Sequence, residues 1–142
     1  MPAKVDFDSM EVKEQAHYII DNYADIFLDN LGLGLNRRRI LNIMYEARKQ
    51  LMKEWNFSEL VKVLTFLQET FHQDLEAEIA IFNSLKPLGK EEAESTAALK
   101  AEQHFEMGNY RLALVYYQLL EDESGDGPAS EKVQECLALI DK

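Results

Sequence analysis

Two glutamate–histidine pairs are the residues of this chain whose spacing could support chemistry. Glu14 precedes His17 by three positions, and Glu69 precedes His72 in the same way. Side chains three apart share a helix face, and paired Glu-x-x-His helices with two further glutamates bind two metal ions in some four-helix bundles. Both pairs lie off the apolar stripes of their predicted helices. A di-metal four-helix bundle is therefore only a remote alternative, and we expect no metal and no cofactor.

The other reactive side chains do not form a catalytic set in the sequence. Cys136, the one cysteine of the 142 residues, excludes an intramolecular disulfide and a zinc site built from several cysteines. It lies on the apolar side of the last predicted helix, so we interpret it as a buried structural thiol. His104 is interpreted as a packing residue. The sequence predicts no catalytic residue and no enzymatic activity.

Charge is distributed unevenly along the chain. The net charge is −11, from 15 basic and 26 acidic residues, but residues 31–54 carry +4 while residues 91–142 carry −8. A protein with a net negative charge repels nucleic acid unless a local patch of positive charge binds it. Arg37, Arg38 and Arg39 could form such a patch. The alternative is a solvated face or a partner for the acidic first helix, and we do not expect nucleic acid binding.

No segment has the pattern of a membrane anchor. The N-terminus lacks an apolar core of the signal-peptide kind, and no stretch approaches the roughly 18 apolar residues of a spanning helix. A single cysteine suits a reducing compartment. We therefore predict a cytoplasmic protein without a membrane span.

Apolar residues recur three and four apart, which predicts an all-α fold of about six to seven helices. Ser9 is a candidate N-cap for a first helix to Asn30, with Phe27 on its apolar face and Gly32 as the residue that ends it. The segment from Ser58 to Leu85 has no Gly or Pro, so it forms either one long helix or two with a break near Gln73-Asp74. The predicted divisions are an N-terminal helix and Gly-rich turn (1–35), a hairpin (36–85), a linker (86–91), and a second hairpin with a capping helix (92–142).

The second hairpin contains a spaced set of small and aromatic residues. Two antiparallel helices need small residues where they cross closely, a glycine in the turn, and rings that close the pair. These positions are occupied by Ala101, Gly108, Tyr110, Ala113 and Tyr117. The segment 94–127 thus resembles a tetratricopeptide repeat, or TPR, which implies a right-handed array of antiparallel helical hairpins.

Three positions of this segment differ from the family's pattern, and a second segment of the chain aligns with it. Ala97 stands where the family has a bulky residue, Leu120 where it has a small one, and the closing proline is displaced to Pro128. The segment starting Trp55-Asn56-Phe57 aligns with the one starting Gly108-Asn109-Tyr110. Residues 41–73 therefore resemble a degenerate first repeat, although two amphipathic helices could share this pattern without being a repeat.

The resemblance implies a binding module without chemistry of its own, whose partner lies against the first helix of each pair. Some family members clamp a chaperone's terminal carboxylate with Lys and Asn, but Ala98 and Glu102 stand at those positions. The expected partner is instead an amphipathic protein segment of mixed charge, and the expected role is an adaptor or a specific secretion or assembly chaperone. The implied groove positions are Tyr45, Lys49, Met52 and Lys53 in the first unit and Ala98, Glu102, Phe105 and Glu106 in the second.

Two alternatives remain open. Tyr45, Met52 and Phe105 could simply pack on neighbouring helices, with the acidic first helix lying across the first hairpin. The protein could also be a self-assembling subunit of a homo-oligomer, in which the long helix and the terminal repeat make contacts between copies.

Overall fold

A computed structural model describes residues 6–121 and 127–141, and within these ranges the chain is entirely helical. They contain eight α-helices, one 3-10 turn and no strand, so the all-α prediction is confirmed. The contacts divide the chain into two compact units, one up to Leu75 and one from Glu76. The 3-10 turn is Phe7–Ser9, and the α-helices are α1 Val12–Asp21, α2 Tyr23–Phe27, α3 Arg37–Lys53, α4 Phe57–Phe71, α5 Glu76–Leu85, α6 Lys90–Glu106, α7 Tyr110–Leu120 and α8 Pro128–Ile140.

The single first helix predicted from Ser9 to Asn30 is wrong. Asn22 leaves the helical region at φ −123°, and its Nδ2 donates to the Tyr18 carbonyl at 2.9 Å, which separates α1 from α2. Ser9 belongs to the 3-10 turn instead of capping α1. The first helical segment ends at the left-handed residue Asp29, at φ 57°, and not at Gly32, which is also left-handed but lies three residues further on. Asn30 donates its N–H to the Asp25 carbonyl at 2.8 Å and so closes the end of α2.

Unit 1 is built on the hairpin of α3 and α4, with α1 packed across both. Asn36 caps α3 as expected, because its side chain accepts the Arg39 N–H at 2.8 Å. The apolar faces of these three helices pack against each other and are buried. The residues that are fully buried or nearly so include Ala16, Ile19, Met44, Ala47, Leu60, Leu64 and Leu67.

The segment 58–85 forms two helices, and the break between them lies near Gln73-Asp74, as in the second of the two predicted alternatives. His72 takes a left-handed conformation at φ 56° and ends α4, and the Gln68 side chain accepts the Leu75 N–H at 3.1 Å. The chain passes from the first compact unit to the second just after this break, between Leu75 and Glu76. The predicted linker 86–91 lies inside unit 2, where residues 86–89 connect α5 to α6 and residues 90–91 form the first turn of α6. Helix α5 packs against α7 of the same unit.

Unit 2 is a layered arrangement in which α7 lies between α6 and α8. Three alanines on α6, Ala93, Ala97 and Ala101, are buried, and so is Ala113 on α7. Small side chains let two helix backbones approach closely, which explains why an alanine-rich helix can supply a core face. Ala97 therefore belongs to the packed seam.

The turns of the two hairpins have the same geometry. Trp55 at φ 56° and Gly108 at φ 81° are both left-handed. The following residues, Asn56 and Asn109, donate their N–H groups to Leu51 and His104 carbonyls at 3.0 and 2.8 Å. These are the bonds of a Schellman ending. The helices before the turns, α3 and α6, are both 17 residues long.

Candidate partner-binding cleft

The four groove residues predicted in the second hairpin lie together along one cleft of unit 2. Ala98, Glu102, Phe105 and Glu106 line its α6 wall, in a cavity of about 530 Å³. Tyr117 and Leu120 of α7 form the floor, and α8 forms the opposite wall. We call this space the α6–α8 cleft; its lining on α8 is Pro128, Ala129 and Lys132.

Phe105 lies at the centre of an aromatic cluster in this cleft. Its ring centroid is 5.4 Å from that of Tyr110 and 6.4 Å from that of Tyr117, with the planes close to perpendicular in both pairs. Edge-to-face rings of this kind stabilise each other. The ring stays half-buried. It therefore offers apolar surface to a ligand from a position fixed by its neighbours.

Lys132 contacts the Phe105 ring from the α8 wall. Its Nζ lies 4.1 Å from the ring centroid and 3.5 Å from Oε2 of Glu135. A cation over an aromatic face is attracted by the ring quadrupole. Burial raises the pKa of the nearby Tyr117 hydroxyl, an effect that Lys132 partly opposes. Tyr117 is thus a neutral hydroxyl at physiological pH, able to donate or accept a hydrogen bond.

Glu102 and Glu106 form the acidic rim of the cleft. Both are exposed, they lie one helical turn apart on α6, and neither has an ion-pair partner among residues 6–121 and 127–141. Two like charges at this spacing destabilise a helix by about 0.2–0.5 kcal/mol. A cationic group bound between them would relieve this repulsion.

The predicted first-unit residues share one flank of α3. Tyr45 is 42% exposed and accepts a hydrogen bond from Gln73 Nε2, Lys49 and Lys53 are exposed, and Met52 is half-buried. Helix α1 packs elsewhere on α3, since Lys13 of α1 pairs with Glu54, which directly follows α3 and lies about 180° around its axis from Tyr45. The acidic first helix therefore does cross the first hairpin, but it leaves this flank uncovered by its own contacts.

The sequence did not predict a second cleft, in unit 1 between α1 and α4. It measures about 470 Å³, and His17 lies in it with Nε2 3.0 Å from Asp21 Oδ2 and Nδ1 3.6 Å from Glu59 Oε2. These contacts hold the ring between two carboxylates. The described part of the chain contains no group of three His, Cys, Asp or Glu side chains that could bind a metal. The di-metal alternative thus has no ligand set there.

An exposed apolar pair also went unpredicted. Phe27 is 74% and Leu28 is 65% exposed at the end of α2. The sequence placed Phe27 on the buried face of a continuous helix, and the break at Asn22 rotates it away from that face. Only Ile26 of α2 is buried.

The chain matches no family model, no curated protein and no solved structure. None of the helices within the described ranges is both long enough and apolar enough to cross a membrane. What the clefts can bind is set by their geometry and by the charges around them.

Proposed function

We propose that this protein is a non-enzymatic protein–protein interaction module, a TPR-like adaptor or a specific chaperone, that binds an amphipathic partner segment in the α6–α8 cleft. We place it in the cytoplasm, in keeping with its single, buried cysteine. One observation carries the proposal. A half-buried aromatic ring, Phe105, is presented at the centre of an open cleft with apolar floor and charged rims.

The cleft has the composition of a helix-binding groove. A partner helix presents apolar anchors at three- and four-residue spacing to an apolar floor, and its flanking charges contact the rim. Here Phe105 on the α6 wall and Tyr117 and Leu120 on the floor supply the apolar surface, while Glu102 and Glu106 supply a negative rim. Central aromatic residues of this kind typically contribute most of the binding energy of an interface.

The arrangement also argues against capture of a terminal carboxylate. Such a group would meet Glu102 and Glu106 on one wall, and the nearest cation, Lys132, already contacts the Phe105 ring and Glu135. Hence we propose an internal segment with basic and apolar residues as the ligand, in preference to an acidic C-terminal tail.

The test is selection of displayed helical peptides on the purified protein, followed by binding assays with two matched variants. Phe105→Glu places a charge in the cleft. Leu99→Glu makes the same kind of change on the same helix, at a 55% exposed position outside the cleft lining. We expect Phe105→Glu to weaken binding by about thirtyfold or more, equivalent to about 2 kcal/mol, and Leu99→Glu to leave it unchanged.

Circular dichroism must show that both variants keep their helix content. Equal binding by wild type and Phe105→Glu would contradict the proposed site. A Glu102→Lys/Glu106→Lys variant, changed only at exposed positions, supplies a second measure: peptides rich in Lys and Arg should bind it more weakly than the wild type.

A further inference from the structure

Equivalent faces of α3 and α6 carry opposite charges. At the 53-residue offset that relates Trp55 to Gly108, Lys49 corresponds to Glu102 and Lys53 to Glu106. The apolar neighbours correspond too, with Met52 at the position of Phe105. All four charged side chains are exposed. Each unit thus presents two like charges one helical turn apart beside a large apolar side chain.

The contrast extends over both helices. Helix α3 carries six basic side chains and one acidic one, whereas α6 carries two basic and five acidic ones. The acidic rim of the α6–α8 cleft therefore has a counterpart of matching spacing and opposite sign on this same chain. We call the counterpart, formed by Tyr45, Lys49, Met52 and Lys53, the basic flank of α3.

We propose that the partner seated on the α6–α8 cleft is a second copy of this chain, which docks through its basic flank of α3. This inference rests on the proposed function, because it takes the cleft to be the binding site. Lys49 and Lys53 of one copy face Glu102 and Glu106 of the other. Met52 and Tyr45 cover the exposed part of the Phe105 ring.

The proposed contact between the two copies would be stabilised by buried apolar surface and by ion pairs. Exposed ion pairs contribute only about 0.2–1 kcal/mol each, so most of the stabilisation comes from covering apolar surface, while the charges select the register. Lys132 does not oppose docking at the α6 rim, because it lies on the α8 wall beside Glu135.

Charge-reversal variants with exchange of partners test this inference. Sedimentation velocity of the wild type over a wide concentration range should show mass above the 16.4 kDa monomer. Lys49→Glu/Lys53→Glu and Glu102→Lys/Glu106→Lys should each weaken self-association by about tenfold or more. An equimolar mixture of the two variants should recover association, since one copy of each restores a complementary contact.

Lys86→Glu/Lys90→Glu is the matched control, because it changes net charge as much as the α3 double variant does but at exposed positions outside both faces. It should associate like the wild type. A wild type that stays monomeric at every concentration would overturn the inference, and so would a mixture that fails to recover association. If a monomeric wild type still bound selected peptides in a manner dependent on Phe105, the proposed function would stand and only the choice of partner would fail.

Discussion

At the scale of single residues, the described core of unit 2 includes a buried polar side chain. Ser130 of α8 is buried, and its Oγ has no hydrogen-bond partner among the described residues. A buried hydroxyl without a partner loses its hydration and gains nothing in return. The position accepts serine because the group is small, and it does not require the hydroxyl.

Replacing Ser130 by alanine should therefore leave the free energy of unfolding unchanged or raise it by up to about 1 kcal/mol. Urea denaturation followed by circular dichroism measures this. The matched variant Ala113→Ser adds a hydroxyl to a fully buried site on the neighbouring helix α7. It should destabilise the protein, by about 1–3 kcal/mol. A clear loss of stability in Ser130→Ala would show that the hydroxyl has a partner after all.

Cys136 is the second residue whose environment predicts behaviour. Its side chain is fully buried, and burial raises the pKa of the thiol above the ordinary value of 9.0. The thiolate is the reactive form, so the native protein should react with a thiol reagent slowly at neutral pH and rapidly once unfolded. The pKa of the thiol is higher in the folded than in the unfolded protein. The contribution of Cys136 to the free energy of unfolding should therefore fall as the pH rises past 9.

Labelling rates with and without denaturant, followed by mass spectrometry, test this. Fast labelling in native buffer would contradict the buried position of Cys136. Cys136→Ala serves as the control that shows no labelling in either state.

At the scale of elements, the hairpin turns depend on left-handed residues. Gly108 has φ 81°, and a Cβ added there would meet nothing within 4 Å. The cost of a side chain at this position is therefore one of backbone conformation alone. Gly89, which precedes α6 at φ −66°, has the same open surroundings without the left-handed backbone.

Gly108→Ala should lower the free energy of unfolding by about 1 kcal/mol. Gly89→Ala should change it by less, because alanine is a poorer N-cap than glycine but also lowers the conformational entropy of the unfolded chain, and the two effects oppose each other. Denaturant titrations of the two variants beside the wild type measure the difference. Equal effects would show that the left-handed turn is not what requires glycine at 108. Trp55, which is left-handed at the equivalent turn, has its ring centroid 5.6 Å from that of Phe57.

The helix boundaries differ in how far local sequence signals determine them. Helix α3 was predictable because Asn36 offers a strong cap and an amphipathic stripe follows it. The α1–α2 break was not, because Asn22 lies within an unbroken apolar pattern. Its side chain bonds to the backbone of the preceding turn, a local competition that residue spacing does not reveal.

At the scale of the whole molecule, charge dominates solution behaviour. The net charge is −11, and the sequence isoelectric point is about 4.7. Repulsion between copies disappears near that pH, while exposed apolar residues such as Phe27 and Leu28 remain available for contact. Solubility should therefore pass through a minimum close to pH 4.7.

Light scattering across a pH series measures this. The variant Phe27→Ser/Leu28→Ser should aggregate less at the minimum while keeping its helix content. If aggregation were unchanged, the exposed pair at the end of α2 would not be the surface that associates.

The sequence by itself determined the all-α class, the capped α3 and the small residues of the second hairpin, because helical periodicity, capping and close packing are local properties. The resemblance to a tetratricopeptide repeat also implied Ala98, Glu102, Phe105 and Glu106 as groove positions, and they lie together because they share one face of a single helix. Only the tertiary structure decided that Lys132 of α8 lies over Phe105 and that Tyr117 and Leu120 form the floor. The division of the chain at Leu75 was decided there too. These depend on how helices pack on one another, which is set by contacts between residues far apart in the chain.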